Sequence, residues 1–325
     1  MKPRTAVVAG ALAALLVVSV AVYFAASVSI LGAPDDFGPA NTSWNGLSTF
    51  VADEHATILH NLTALPPDGT GYTLLEDGPS SPYSPAEAVR VSSFVRSGGT
   101  LILADGQDAI GNTLLAGMGL SSRFSGAVLV DPLFNFLNSF LVVAPTNSMH
   151  NVSSIAFNYA TTLSVSDPGA QVLAYSSDFS YLYPTQPGGS ISGSPHGPFP
   201  MVAQIPDGKG TVYLIADDSV FINSMIGRDG NANMLSDMAT GTVLLDTSHL
   251  SVGPATIVRD FELSVYSVLS LWEIKYSIVI VGVAGVLAYR LGPDSPPADD
   301  EVESALREHP EWDREKLRRL KDELG

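Results

Sequence analysis

Two apolar runs in this 325-residue sequence end in acids, Asp105 and Asp108 after "TLILAD" and Asp217 and Asp218 after "TVYLIADD". Polar side chains follow each run, Asn112 in the first stretch and Ser219 and Asn223 in the second. Paired carboxylates can serve as general acid and base. Together with amide oxygens they also offer hard donors to Ca²⁺ or Mg²⁺. These seven residues are the candidate ligand-binding set. A divalent cation is the one cofactor the residue types admit. Asp229-Gly230-Asn231-Ala232-Asn233 has the alternating oxygen donors of half a calcium loop, without the bidentate Glu that completes one.

Other chemistries are excluded or weakened by residue type. The chain has no cysteine, so a thiol nucleophile is excluded. No G-x-S-x-G elbow is present; Ser219 either sits at an unorthodox elbow or, with Asn223, caps a helix beginning there. His55, His60, His150, His196, His249 and His309 show no zinc spacing. Gly98 and Gly99 resemble a phosphate loop, but they precede a strand, whereas phosphate loops follow one and carry a Lys. They read instead as a helix terminator. No catalytic residue is assigned.

The elements that must position the acids are legible around them. Ser84, Pro85 and Glu87 predict a capped helix start, and Ala88, Val91, Phe94 and Val95 form its apolar stripe. "TLILAD" reads as a strand buried on both faces, and "NTLLAGMGL" as the next helix. "GKGTVYLIADDSVFINSMIG" repeats the pattern, with a second polar loop opening into a helix, and 231–245 reads as a further helix. The alternation predicts an α/β domain with a mainly parallel sheet, whose strand ends would place Asp105 and Asp217 in one crevice. It occupies 46–125 and 201–250. Residues 126–200, rich in turn signals, read as a β-rich insertion with an exposed loop at 184–199.

The ends of the chain differ in kind. Residues 1–33 contain an uncharged apolar stretch long enough to span a bilayer, behind Lys2 and Arg4. A cleaved signal peptide is the alternative, but the stretch is long for one and lacks a clean cleavage site. Residues 34–45 form a stalk, 251–273 a connection, and 274–291 a second span followed by a charged tail, 292–325. Basic residues flank both spans on one side, which places both termini in the cytoplasm and 34–271 outside. Asn41, Asn61 and Asn151 head glycosylation sequons in that exterior part. Acids outnumber bases 33 to 16, which argues against a nucleic-acid partner. In the tail, Pro310 is expected to open a helix whose apolar face, Trp312, Leu317 and Leu320, would dock a protein partner.

The helix start at Ser84, "FVRSGGTLILAD", "GNTLLAGMGLSSRFSG", Asp131-Pro132, "GKGTVYLIADDSVFINSMI" and "DGNANML" together resemble archaeal membrane proteins of domain-of-unknown-function family 4350. The resemblance covers about 44–250 and the two-span layout. It implies a flavodoxin-like sheet of the class I glutamine-amidotransferase type, here without the catalytic cysteine. Related domains act as interaction or ligand-binding modules in gliding-type transport systems and intraflagellar transport. The resemblance also implies a protein partner, such as a MoxR-type ATPase system.

Overall fold

The computed structural model describes residues 35–184, 193–251, 253, five positions between 271 and 280, and 301–324. The expected first span, nearly all of the second, residues 185–192 of the long loop and the start of the tail lie outside the described residues. Among the described residues no helix is long and apolar enough to cross a membrane. The chain divides into two compact units, Met1–Val258 and Arg259–Gly325.

The first unit is a mixed α/β domain around one seven-stranded sheet. Its strands are β1 (Thr57–Leu59), β2 (Tyr72–Asp77), β3 (Thr100–Ala104), β4 (Gln171–Tyr175), β5 (Pro200–Asp207), β6 (Gly210–Ile215) and β7 (Thr242–Asp246), in the spatial order β1-β7-β2-β3-β6-β5-β4. Neighbours from β1 to β6 are all parallel, while β5 and β4 close the sheet antiparallel. β4 lies within the 126–200 segment, so that segment supplies the sheet's outer strand. The segment also forms short antiparallel pairs such as Val143–Pro145 with Ser154–Ala156.

The central strand β3 is apolar through its middle because both of its faces are covered. Leu101, Ile102 and Leu103 have no exposed surface. Burying each stabilises the fold by about 1.5–3 kcal/mol. On one face lie α2 (Pro85–Ser97) and α3 (Asn112–Met118), which touch where Gly117 leaves room for Ala88. The first helix in sequence, α1 (Ser48–Asp53), carries the buried Phe50, whose ring meets Phe221 at 5.9 Å.

Ser84 caps α2 with a complete capping box: its side chain accepts from Glu87 N–H, and the Glu87 carboxylate accepts from Ser84 N–H. Gly98 ends the helix at φ 128, a conformation that side-chain-bearing residues avoid, and its N–H bonds the Phe94 and Val95 carbonyls. Gly98 and Gly99 are thus a helix terminator and a tight joint into β3.

Two expectations for the second half are corrected. Residues 218–230 form successive turns and no helix. Val220, Ile222 and Ile226 are β-branched, which weakens helix propensity, and the Asp217 carboxylate and Asn223 side chain hold the backbone in other contacts. The helix expected over 231–245 is α4 (Asn231–Met238) alone. Gly241, at φ 66, packs too closely on Gly71 for any side chain, and it turns the chain into the apolar strand β7.

In the second unit α5 (Glu301–Glu308) and α6 (Arg314–Leu324) are linked by an Arg314–Glu303 ion pair of 2.8 Å. The second helix opens after Asp313, whose carboxylate accepts from Glu315 N–H, and not at Pro310. Trp312 therefore precedes the helix and stacks on His309 at 4.2 Å. An Asp at the cap satisfies a free N–H that Pro310 has no means to satisfy.

Gly98→Ala should lower the stability of the domain by about 1–3 kcal/mol, because alanine must adopt the same positive φ. Urea unfolding would show a lower midpoint with an unchanged slope. An unchanged midpoint would mean that the terminator is not strained.

Candidate functional site

Four of the five parallel strands deliver acids to one edge of the sheet. β2 ends in Glu76 and Asp77, β3 runs into Asp105, β6 into Asp217 and Asp218, and β7 ends in Asp246. All but Asp218 are almost wholly buried. Glu76 and Asp77 are consecutive in a strand, so they face opposite sides of the sheet. Two groups of acids result.

The first group is Asp77, Asp217 and Asp218; Asp105 stands between the groups, since it follows Leu103, the partner of Glu76, whereas Asp77 and Asp217 continue the face of Ala104 and Ile215. β3 and β6 are parallel neighbours with Ala104 opposite Ile215, and Asp105 N–H bonds the Ile215 carbonyl. The two strand ends lie side by side, but Asp105 falls level with Ala216, so alternation turns the Asp105 and Asp217 side chains to opposite faces and not into one crevice. The Asp105 carboxylate accepts from Gly106 N–H (2.8 Å) and Gly111 N–H (2.6 Å), closing its own loop onto the start of α3. Asp217 accepts from Ser219 N–H at 2.7 Å and from Asn158 N–H, across to the 126–200 segment. Asp218 accepts from the Ser219 hydroxyl at 2.9 Å and lies against Gly106, where a Cβ would strike its carboxylate. Neither oxygen of Asp77 has a hydrogen-bond partner among the described residues.

Burial raises all four carboxyls above the usual aspartate range. For Asp77 the charges of Asp218 and Asp217 add to burial. For Asp217 the Asp218 charge adds to it. For Asp218 burial outweighs the Ser219 hydroxyl bond, with Asp108 and Asp36 also repelling. Asp105 is pushed up to about 7, burial overriding its two backbone bonds.

The second group lies on the other face of β2. Glu76 accepts from the Tyr83 hydroxyl at 2.7 Å, and its second oxygen is buried without a partner. Asp246 meets His249 Nδ1 at 2.7 Å and accepts from the Ser248 hydroxyl at 2.7 Å. The Tyr83 ring stacks on the His249 imidazole at 3.9 Å. Burial, then the Asp246 charge, holds Glu76 well above the usual carboxyl range. Burial also pushes Asp246 upward, but the bonds from His249 and Ser248 outweigh it and leave this carboxyl below its ordinary value.

The family model described as "Domain of unknown function (DUF4350)" matches residues 39–239. The chain belongs to the DUF4350 family. No curated protein matches it. Among solved structures it is similar to the mmIFT52 N-terminal domain, at 15% identity and a TM-score of 0.39 over 50% of this chain and 73% of that one. It is similar too to a β-galactosidase from Bacillus circulans sp. alkalophilus, at 13% identity and a TM-score of 0.32 over 52% of this chain and 23% of that chain. The exo-β-1,4-mannosidase Op5Man5 from Opitutaceae bacterium strain TAV5 follows at 12% and 0.30, over 52% and 26%. Likenesses this distant carry no argument about activity.

Within the DUF4350 domain the other candidate residues go to separate tasks. Asn112 clamps the backbone of Phe124 through both its amide atoms, at 2.9 Å each. Asp108 is exposed on the lip between them. Asn223 does not cap a following helix. It donates to the carbonyls of Asn41 and Ser43 and accepts from Thr49 N–H, so it caps α1 from 174 residues away. Asn231 is fully buried and bonds both backbone atoms of Ala156 and the carbonyl of Met225, whereas Asp229 and Asn233 are exposed. The half calcium loop does not converge, because its middle donor is consumed inside the core.

The group of Glu76, Asp246 and His249 was missed. Reading 231–245 as one helix hid β7 and the acid at its end. A signal was present: "GTVLLD" at 241–246 is a third copy of the Gly-Thr-apolar-Asp pattern of "GTLILAD" and "GTVYLIAD".

Asn231→Ala should cost about 3 kcal/mol by orphaning buried backbone groups, and Asn233→Ala close to nothing. Equal effects in urea unfolding would refute the assigned clasp. A second expectation concerns pH. Between the ordinary aspartate pKa near 4 and about 7 for Asp105, the folded domain holds protons that the unfolded chain has released. Stability therefore falls as pH rises through that window. For Asp105 alone the scale is about 4 kcal/mol. The unfolding midpoint should be higher at pH 5 than at pH 8, and Asp77→Asn, permanently neutral, should narrow the difference. A midpoint that rises over this range would contradict the assignment.

Proposed function

We propose that this chain is a membrane-anchored, extracytoplasmic binding or scaffold module of archaeal type, built on a flavodoxin-like, amidotransferase-like sheet and without catalysis. One observation carries the reading: the strand-end carboxylates are mostly engaged with their own loops, while the surface beside them exposes large apolar side chains. Leu133, Phe134, Leu137, Tyr159, Phe179 and Tyr183 are each about half exposed or more. They are mounted on a rigid base. Asp131 is buried and accepts from Leu133 and Phe134 N–H and from the Ser177 hydroxyl. The Phe140 ring stacks on Tyr159 at 5.0 Å and meets Tyr183 at 5.6 Å. Gln107, on the 105–112 lip, donates to the Tyr159 carbonyl at 3.1 Å. Exposed apolar groups held by buried polar anchors are the usual makings of a protein-binding surface.

The membrane topology has both termini in the cytoplasm and 34–271 outside. Trp272 and Tyr276, exposed and in edge-to-face contact at 6.2 Å, have the residue types of an interfacial belt. Protease added to intact cells should cleave the middle segment and spare the tail. A cleaved tail would reverse the orientation. If the exterior is glycosylated, Asn61 and Asn151 are exposed to modification, whereas Asn41 is buried with its amide bonded to Asp35 and Asn45.

Two rival readings have an observation each. The raised carboxyls of Asp105, Asp217 and Asp218 suit a metal-assisted hydrolase. Trp312 and Leu320, both about half exposed, suit docking of the tail to a cytosolic ATPase of the MoxR type. Affinity purification from native membranes separates them. Leu137→Ser with Phe134→Ser should remove exterior partners while the domain stays folded. Trp312→Ala with Leu320→Ala should remove cytosolic ones. An unchanged partner set in the first variant would refute the leading reading.

A further inference from the structure

We propose that Glu76, Asp246 and His249 form a binding site for a divalent transition-metal ion of the zinc class. One donor atom from each of the three lies within 4.8 Å of the others, and all three residues are buried. An oxygen-nitrogen donor set with one imidazole suits Zn²⁺, Co²⁺ or Mn²⁺ better than Mg²⁺ or Ca²⁺, which take oxygen donors. Three protein donors leave a fourth position for a water or a small anion.

Two independent features point to an occupant. One is the free oxygen of Glu76, Oε1, which is buried without a hydrogen-bond partner among the described residues. The other is the ring of outer partners, which has the form found around metal ligands, where each ligand is oriented by a further hydrogen bond. Tyr83 donates its hydroxyl to the other Glu76 oxygen at 2.7 Å and stacks on the His249 ring. Ser248 donates to Asp246. On its far side His249 Nε2 faces the Glu87 carboxylate at 3.7 Å, the residue that also completes the capping box of α2. Each of the three residues has a supporting partner, and at the centre the closest contact is Asp246 to His249 at 2.7 Å, with the Ser248 hydroxyl 3.2 Å from the same imidazole nitrogen. A cation would replace that contact with bonds of about 2.0–2.2 Å to each ligand. It would join the end of β2 to the end of β7 and the turn that follows it.

The site is independent of the binding surface proposed above and survives its failure. Its two later ligands, Asp246 and His249, fall beyond the 39–239 family match.

The test uses the full chain, stripped with a chelator and dialysed. Zn²⁺ or Co²⁺ should bind at one ion per chain and raise the unfolding midpoint by about 5 °C at a hundredfold excess over Kd. Mg²⁺ should not. Glu76→Gln and His249→Ala should abolish the shift, while His60→Ala, at an exposed histidine, should leave it. Should those two variants not fold, Glu87→Gln decides: glutamine preserves the capping box, and affinity should fall about tenfold through the lost outer contact. A wild type that retains no ion overturns the proposal. So do an unchanged shift in Glu76→Gln and His249→Ala, and an affinity unaltered in Glu87→Gln. Glu76 would then be only a neutral neighbour of Asp246.

Discussion

All the parallel strands of this sheet end at one edge, and the loops that leave them carry backbone N–H groups that must find acceptors out of reach of water. Strand-end aspartates meet that demand three times. Asp105 accepts from Gly106 and Gly111, Asp217 from Ser219 and Asn158, and Asp246 from Ser248. Each carboxylate turns the chain just past its strand. The Asp217 bond to Asn158 also ties the middle segment to the sheet, and the Asp105 bond to Gly111 seats the start of α3.

Bringing so many acids to one buried edge has an electrostatic cost. Burial and mutual repulsion raise Asp77, Asp105, Asp217 and Asp218 together, so the domain favours neutral carboxyls there. Asp246 alone of the strand-end acids goes the other way, because His249 and Ser248 hydrogen-bond to it. The edge therefore has two characters. One is a set of carboxyls raised by burial that largely fold their own loops. The other is a mixed carboxyl-imidazole group with a complete outer ring of partners.

Amides do the long-range fastening that the acids do not. Asn223 holds the N-terminal segment to the turn after β6, and Asn231 holds α4 to the strand Ser154–Ala156. Both bond mainly to backbone atoms, Asn223 meeting the Ser48 hydroxyl as well. Around Asp131 and Tyr159, by contrast, aromatic and aliphatic groups remain exposed.

The sequence by itself determined the local pieces whose causes are local. The Ser84–Glu87 capping box, the Gly98 terminator and the doubly buried run of β3 follow from residue type and spacing over a few positions. The pairing of the β3 and β6 ends was also legible, because two copies of one pattern imply parallel neighbours. Only the tertiary structure decided the rest. Asn112, Asn223 and Asn231 look like ligands in a linear reading, but a buried amide is claimed by whichever backbone groups lie nearest in space, and these lie from 6 to 182 residues away. β7 was obscured because "TVLL" follows a helix closely and a short apolar run fits either element. Its placement between β1 and β2 is what carries Asp246 and His249 to Glu76, 170 residues earlier in the chain, and no spacing rule in a sequence encodes that approach.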